Sequence, residues 1–303
     1  MFVLCAISLA SCMEDLKNKK PQQPRRDNQP MQVVVDRVNR NNEAMDFLLH
    51  GDIRSAEGEY VEADGTRTRL SMTGDVFFRK PRNLFLRLKH TLGAGMEVGS
   101  NYREFWVWKR MDPPQYWWGL HELMTDVADA DVPVRPDHLL EVVGLAPIRS
   151  GEECINRPAM RVMPEHYELS YLSCDVIRNL YYTKSIAVDR YPPYLIRAVT
   201  YYRPDGHILM RAELSKYQQI EGSDILAAHR IRLDWQTAGS WLELTFSKWE
   251  RSNNDKVEPV YVDVSPLQAG KRGLGLVTRV DTSGVRTLTP HPQPGQDRGE
   301  SSP

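Results

Sequence analysis

The feature that most constrains the fold is an alternation of apolar and polar residues that recurs along most of the chain. Apolar side chains occupy every second position in one segment after another, and turn-forming residues separate the segments. A period of two is typical of antiparallel β-strands that have one face against a core and the other in water. The clearest instances are residues 70–78, 84–88, 208–214, 231–235 and 242–246.

The alternation predicts a mainly β (α+β) fold with about ten or eleven strands, mostly antiparallel and joined by short loops. Turn signals such as Pro81-Arg82-Asn83 stand between the predicted strands. The chain has 303 residues, of which 41% are hydrophobic, enough to build the core of one large β domain. Its formal net charge is −1 and no clustered basic face is visible, so nothing favours a nucleic-acid partner.

Two segments have helical rather than alternating patterns. Residues 31–42 place apolar side chains on one stripe and predict a short N-terminal helix. Residues 122–144 contain a second helical signal, with Pro136 where a helix would start and Gly144 just past its end. We therefore expect a small helical insertion that interrupts the antiparallel sheet.

The first twelve residues form an apolar run that is closed by small residues. Residues 1–10 carry no charge, and the tripeptide Leu-Ala-Ser precedes Cys12. This arrangement is typical of a secretory signal and resembles the lipobox of bacterial lipoproteins. The resemblance implies that residues 1–11 are a signal peptide and that Cys12 carries the lipid. The run is too short to span a bilayer, and a buried N-terminal strand is the alternative interpretation.

The composition divides the rest of the chain into three parts. Residues 12–30 are polar after Cys12 and predict a flexible tether, residues 31–265 hold the alternating pattern, and residues 266–303 end in a polar, Pro-rich stretch. We expect the last segment to be mostly disordered.

Two further cysteines suggest a disulfide. Cys154 and Cys174 remain once the signal peptide and the lipidated cysteine are set aside, and an exported chain is in an oxidising compartment. Residues 159–163 and 166–174 read as a hairpin, which would bring the two cysteines to facing positions. The alternative is a pair of free, buried thiols.

No catalytic or metal-binding motif is present in the sequence. It lacks a G-x-S-x-G elbow and an H-E-x-x-H helix, and the eight histidines are scattered. The cysteines have no neighbouring set of zinc ligands. We therefore predict no catalytic residue, no metal and no cofactor.

An aromatic block stands out within the predicted sheet. Residues 105–108 read Phe-Trp-Val-Trp, and residues 116–118 read Tyr-Trp-Trp after a short turn. Large side chains on both parities imply that both faces of this hairpin are covered. The block is either part of a thick core or the wall of an apolar cavity.

Two stretches of the chain resemble a known family. Residues 74–84, which read GDVFFRKPRNL, and residues 97–108 are similar to motifs of the LolA/LolB-like lipoprotein-sorting superfamily. Ser100-Asn101 stands where that family often has Asp-Gly. The resemblance covers residues 31–265 and implies an unclosed β-barrel whose apolar concave face receives acyl chains beneath a helical lid.

The resemblance also implies which residues line that cavity and its lid. They are Leu84, Leu86, Leu88, Trp106, Trp108, Leu139, Leu140 and Val143.

The leading hypothesis is a non-enzymatic envelope protein that binds lipid or lipoprotein acyl chains for transport or sorting to the outer membrane. By its predicted anchor it would be LolB-like, attached to the outer membrane and facing the periplasm. The alternative is a periplasmic protein-interaction or stress-sensing module on the same fold, in which the aromatic hairpin docks a partner protein. An enzyme is a third hypothesis, and it would need two carboxylates facing each other across a cleft.

Overall fold

A computed structural model describes the chain over residues 28–61, 65–90, 95–111, 114–121, 136–143, 147–148, 157–175, 180–252, 277–281 and 284–288. Within these residues the chain forms two α-helices and fifteen β-strands. The predicted signal peptide, Cys12 and Cys154 lie outside the described residues.

The helices are α1 (Met31–Glu43) and α2 (Pro136–Val142). The first eight strands are β1 (Leu49–Val61), β2 (Arg67–Arg79), β3 (Asn83–Lys89), β4 (Gly95–Ser100), β5 (Glu104–Lys109), β6 (Gln115–Leu120), β7 (Ala159–Val162) and β8 (His166–Asp175). The remaining strands are β9 (Leu180–Asp189), β10 (Ile196–Tyr202), β11 (Ile208–Gln219), β12 (Leu226–Trp235), β13 (Ser240–Arg251), β14 (Val277–Asp281) and β15 (Gly284–Leu288).

All fifteen strands belong to one sheet, in the order β15-β14-β6-β5-β4-β3-β2-β1-β13-β12-β11-β10-β9-β8-β7. Every neighbouring pair is antiparallel except β14 and β6, which run parallel. Strands β15 and β7 are the two edges, so the described sheet does not close on itself. The predicted fold class, an unclosed and mostly antiparallel β-barrel with two helical elements, is confirmed.

The sheet curls around α2. This helix contacts β9, β10 and β12 through its side chains, and its backbone lies within 8 Å of β4. Strands β4 and β9 are eight positions apart, which in a flat sheet would separate them by about 38 Å. A helix of seven residues is only about 10 Å long. Contact with both strands therefore requires a strongly curved sheet, with α2 on its concave side.

Helix α1 covers another part of the concave side, as its apolar stripe predicts. Val34, Val35 and Val38 are buried in the main core. Two asparagines attach the helix to its neighbours: Asn39 Nδ2 donates to the Ile148 carbonyl over 2.8 Å, and Asn41 Nδ2 donates to the Leu226 carbonyl over 3.1 Å. The N-terminal helix predicted over residues 31–42 is therefore confirmed.

The structure differs from the sequence prediction in the number of strands. Fifteen strands are present where ten or eleven were expected, and two of them, β14 and β15, lie within residues 266–303, the segment expected to be mostly disordered. Both are short, with weak alternation in their sequence. They are ordered through pairing, because β14 takes up the free edge of β6 and β15 then pairs with β14.

The hairpin predicted around residues 164–165 is present. Strand β7 pairs with β8 in a register that runs from Ala159 opposite Ser170 to Val162 opposite Tyr167. This register is one residue away from the pairing that would set Cys154 opposite Cys174. Because Cys154 lies outside the described residues, the disulfide remains a prediction.

Candidate functional site

The concave side of the sheet presents a continuous apolar surface, which we call the inner face. Its central row runs across five strands, from Val76 through Leu86, Val98 and Val107 to Trp117, each residue paired with the next. All five belong to one buried core cluster. Alternation along each strand continues the surface above and below this row.

The predicted leucines of β3 lie on this inner face. Leu84, Leu86 and Leu88 are each 1% exposed and belong to the main core cluster. The prediction rested on the two-residue spacing of these leucines, because residues two apart on a strand point to the same side of the sheet.

Helix α2 covers the inner face as a lid. Leu139, Leu140 and Val142 are buried in the same cluster as the β3 leucines, and Val143 packs against it. The structure therefore brings together six of the eight residues predicted for the cavity and its lid.

The structure corrects the predicted place of Trp106 and Trp108 in the cavity wall. They lie on the opposite, outer face of β5, where Trp106 forms a separate buried cluster with Phe85 and Tyr116, and Trp108 packs against that cluster. Phe105 and Val107 occupy the inner positions of β5. Both parities of β5 are apolar, so the alternation that located the leucines did not decide which side of this strand faces inward.

Gly99 explains how Trp106 is held on the outer face. The two residues are paired across β4 and β5, and a Cβ atom at Gly99 would lie 1.8 Å from the Trp106 ring. The indole therefore lies directly over the glycine. Arg110 covers the neighbouring Trp108 at 3.9 Å from its ring, so this aromatic cluster has a polar margin.

Two polar contacts fasten the lid to the sheet. The indole Nε1 of Trp235 donates to His138 Nδ1 over 3.1 Å, and the His138 ring stacks on Tyr201 at 5.4 Å between centroids. Because indole N–H is only a donor, Nδ1 of His138 is the unprotonated nitrogen of the ring. One turn further on, Lys184 Nζ donates to Glu141 Oε2 over 2.5 Å.

Lys184 is a cation on the apolar face. It shares its parity on β9 with Ile186 and Val188, which are core residues, and its side chain is only 8% exposed. Burial by itself would lower the pKa of Lys184. The charge of Glu141, together with Tyr171 and the hydrogen bonds to both, outweighs burial and raises the pKa above its ordinary value. The amine is therefore charged at neutral pH.

The covered interior contains a small cavity. A cavity of about 20 Å³ lies between α1, the end of α2 and β10–β12, lined by Val38, Met45, Val143, Ile196 and Leu214 among others. This volume suits about one water molecule. Both described helices pack against the concave side, so a ligand that occupied their place would have to displace them.

Several residues of this site were not predicted from the sequence. Lys184, Glu141, His138 and Trp235 fasten the lid, yet only the lysine leaves a signal in the sequence. Its charge interrupts the apolar parity that Ile186 and Val188 continue. The other three are recognisable only once the chain has folded.

No reaction centre is apparent in the described part of the chain. Ser100 Oγ lies 3.0 Å from His121 Nε2, but Ser100 is fully buried and His121 is 3% exposed, so a substrate would not reach them. Among the described residues there is no group of three His, Cys, Asp or Glu side chains placed to hold a metal ion. Neither described helix is long and apolar enough to cross a membrane.

Sequence comparison finds no match to a protein family or to a curated protein. Comparison of structures does find proteins of similar fold. A DUF1329 family protein from Desulfovibrio piger has a TM-score of 0.51 at 12% identity, covering 80% of this chain and 100% of its own. A domain assigned to outer membrane lipoprotein sorting from Vibrio parahaemolyticus has a TM-score of 0.48 at 10% identity, covering 76% and 97%. A LolA superfamily protein from Nitrosomonas europaea has a TM-score of 0.45 at 12% identity, covering 77% and 97%.

These likenesses concern the fold. The DUF1329 family protein is similar to this chain in fold over 80% of its residues. At identities of 10–12% the neighbours carry no assignment of ligand or partner to this chain.

Proposed function

We propose that this protein is a lipid-anchored, non-enzymatic protein of the cell envelope that binds lipid or lipoprotein acyl chains for transport or sorting to the outer membrane. The observation that carries the proposal is the inner face: a continuous apolar surface covered by two helices rather than by a second sheet. The resemblance of residues 74–84 and 97–108 to motifs of lipoprotein-sorting proteins supports it.

The energetics of the lid are compatible with such a role. Lifting α2 from the sheet would expose Leu139, Leu140 and Val142, at about 5–9 kcal/mol for three fully buried side chains. At about 0.8 kcal/mol per methylene, roughly six to eleven methylenes entering the interior would balance that cost. A stretch of roughly six to eleven methylenes is shorter than one myristoyl chain. Acyl chains can therefore replace the lid without binding so tightly that they cannot leave.

Direct detection of bound lipid tests this proposal. The full chain with Cys12→Ser, which cannot be acylated at that position, would be purified without detergent and studied by native mass spectrometry with lipid extraction. We expect bound lipid at a defined stoichiometry, or uptake of a fluorescent fatty acid by the apo protein. A clean apo mass together with no uptake would refute acyl-chain binding.

A variant of the lid fastening sharpens the test. Trp235→Phe keeps an aromatic ring but removes the hydrogen bond to His138. Loss of one such bond, worth about 0.5–1.5 kcal/mol, should accelerate fatty-acid uptake about two- to tenfold. Trp241→Phe is the matched control, because Trp241 is paired with Asp234 next to Trp235 and stacks beneath Arg232 away from the lid. Equal rates in both variants would mean that α2 does not gate the interior.

The membrane anchor is proposed separately, from Cys12 and the polar segment that follows it. Asn28 and Gln29, at the end of the predicted tether, hydrogen-bond to Arg190 and Tyr167. The chain is therefore attached to the domain from Asn28 onward. Expression of the full chain in a Gram-negative host should place the protein in the outer-membrane fraction, and Cys12→Ser should release it. Recovery of both proteins in the soluble fraction would refute the anchor.

A second candidate function is a protein-interaction module, and two observations favour it. Both helices pack against the inner face in the described conformation, and the outer face carries an aromatic cluster around Trp106 with Trp108 and Trp118 at its margin. If the protein stays apo in the mass-spectrometric experiment, this cluster becomes the leading site, and Trp118→Ala should weaken co-purification with an envelope protein.

A further inference from the structure

The inner face carries one positive charge whose acidic partner belongs to the lid. Lys184 lies among core residues of β9, and its Nζ donates to Glu141 of α2. The sheet residues beside it are aromatic: Tyr201 lies opposite on β10 and Tyr171 opposite on β8, with ring centroids 5.3 and 5.9 Å from Nζ. Among the described residues that interact electrostatically with the Lys184 ammonium group, Glu141 supplies the carboxylate.

Displacement of the lid therefore separates the two charges unequally. Glu141 is 32% exposed and would move into water with α2, whereas Lys184, whose side chain is 8% exposed beneath the lid, would stay on the sheet and be covered by the ligand. A buried ammonium group without a counter-charge is strongly unfavourable. A ligand made only of acyl chains would leave the lysine in that state.

We propose that Lys184 is the binding site for an acidic group of the ligand, so that the interior selects anionic amphiphiles over neutral ones. This inference rests on the proposed function and adds the chemical class of the ligand. A carboxylate or phosphate next to the acyl chain would take the place of Glu141, and the chains would take the place of Leu139 and Leu140. Lysine is a compact point charge, suited to either acidic group.

The electrostatics of the site support this selectivity over simple hydrophobic binding. In the closed state the carboxylate of Glu141 and the apolar side chains of α2 enter the inner face together, as an acidic group and an acyl chain would in the bound state. The lid thus has the chemistry of an anionic amphiphile, and it competes with the ligand for both the apolar surface and Lys184.

The test compares probes that share one acyl chain but differ in the head group. The full chain with Cys12→Ser would be titrated at pH 7.5 with a fatty acid, the corresponding lysophosphatidic acid and the corresponding monoacylglycerol. We expect both acids to bind about tenfold or more tightly than the neutral glyceride, which is the effect of one charge-assisted contact. Comparison of the two acids also shows whether the site prefers a carboxylate or a phosphate, because the acid with the lower Kd carries the preferred group.

Two substitutions assign the selectivity to this pair. Lys184→Met should abolish the preference for acids by raising the affinity for monoacylglycerol toward that for the two acids, because it removes the ammonium group that a neutral ligand would leave without a counter-charge. Glu141→Gln removes the competing carboxylate and should increase the preference for acids. Lys248→Met is the matched control, because Lys248 lies on β13, is half-exposed and pairs with Glu250 away from the lid.

The outcomes separate the inference from the function on which it rests. Binding of all three probes with equal affinity, unchanged in Lys184→Met, would overturn the anionic site and leave acyl-chain binding intact. No binding of any probe to the parent protein would overturn both. If Lys184→Met does not fold, Glu141→Gln still decides, since an unchanged ratio of acidic to neutral affinity refutes the site.

Discussion

The Lys184–Glu141 pair should respond unequally to the removal of each partner, and this asymmetry can be worked out from burial. Glu141→Gln keeps the size of the side chain and an acceptor oxygen but leaves the buried ammonium group of Lys184 without its counter-charge. Removing one partner of a fully buried pair typically costs about 3–5 kcal/mol. Because Glu141 is 32% exposed, water screens part of the interaction, and we expect a loss of about 2–3 kcal/mol.

Lys184→Met should cost much less. Methionine fills a similar volume with apolar atoms next to Ile186 and Val188, and the carboxylate left behind can be hydrated at the surface of α2. Replacing a buried charge by an apolar side chain of similar size is often neutral or stabilising, so we expect a change within about 1 kcal/mol. The double variant, Lys184→Met with Glu141→Gln, should have nearly the stability of Lys184→Met alone. Without Lys184, the carboxylate at position 141 no longer stabilises a buried charge.

Urea unfolding at pH 7.5, followed by tryptophan fluorescence and circular dichroism, measures both changes. In thermal unfolding, the predicted loss of stability in Glu141→Gln corresponds to a fall in Tm of roughly 4–12 °C for a domain of this size. A larger loss in Lys184→Met than in Glu141→Gln would refute the reasoning, since the lysine would then contribute through packing rather than as a charge that needs a partner.

The remaining predictions concern the two faces of the sheet and one buried histidine. Gly99→Ala must displace the Trp106 indole, so we expect a loss of about 1–3 kcal/mol and a change in tryptophan emission, and unchanged values of both would contradict the observed contact. Leu86→Ala should cost about 2–5 kcal/mol, whereas Lys89→Ala on the exposed side of the same strand should stay within about 0.5 kcal/mol. Burial lowers the pKa of His229 in the folded state, so the unfolded chain binds more protons below about pH 6.5 and stability should fall as the pH drops through that range. His229→Gln should flatten this dependence in unfolding experiments at pH 7.5 and 5.5, and an unchanged slope would exclude His229 as its source.

Alternation in the sequence was sufficient to predict the inner face wherever one parity was polar. On β3, Leu84, Leu86 and Leu88 alternate with Arg87 and other residues of the outer side. The side of each residue then follows from the two-residue period of a strand, because a shift by one residue would bury a charge. The same local logic located α1 and the end of α2.

Where both parities are apolar, tertiary structure decided. Strand β5 reads Phe-Trp-Val-Trp, and either side could face the core on hydrophobicity alone. Gly99 on the neighbouring strand leaves room for Trp106 on the outer face only, and Val98 meets Val107 on the inner face. This contact depends on the register of β4 with β5, which no pattern within β5 contains.

The sequence by itself determined the class of fold, the leucines of the inner face and the place of the helices, because these depend on periodicity and on residues close to one another in the chain. Tertiary structure alone decided the number of strands, the face of β5 on which Trp106 and Trp108 lie, and the contacts that hold α2 against the sheet. Lys184 and Glu141 are 43 residues apart, and Trp235 and His138 are 97 apart. Such pairs meet only because the sheet curls, and its curvature is a property of the whole strand order rather than of any segment.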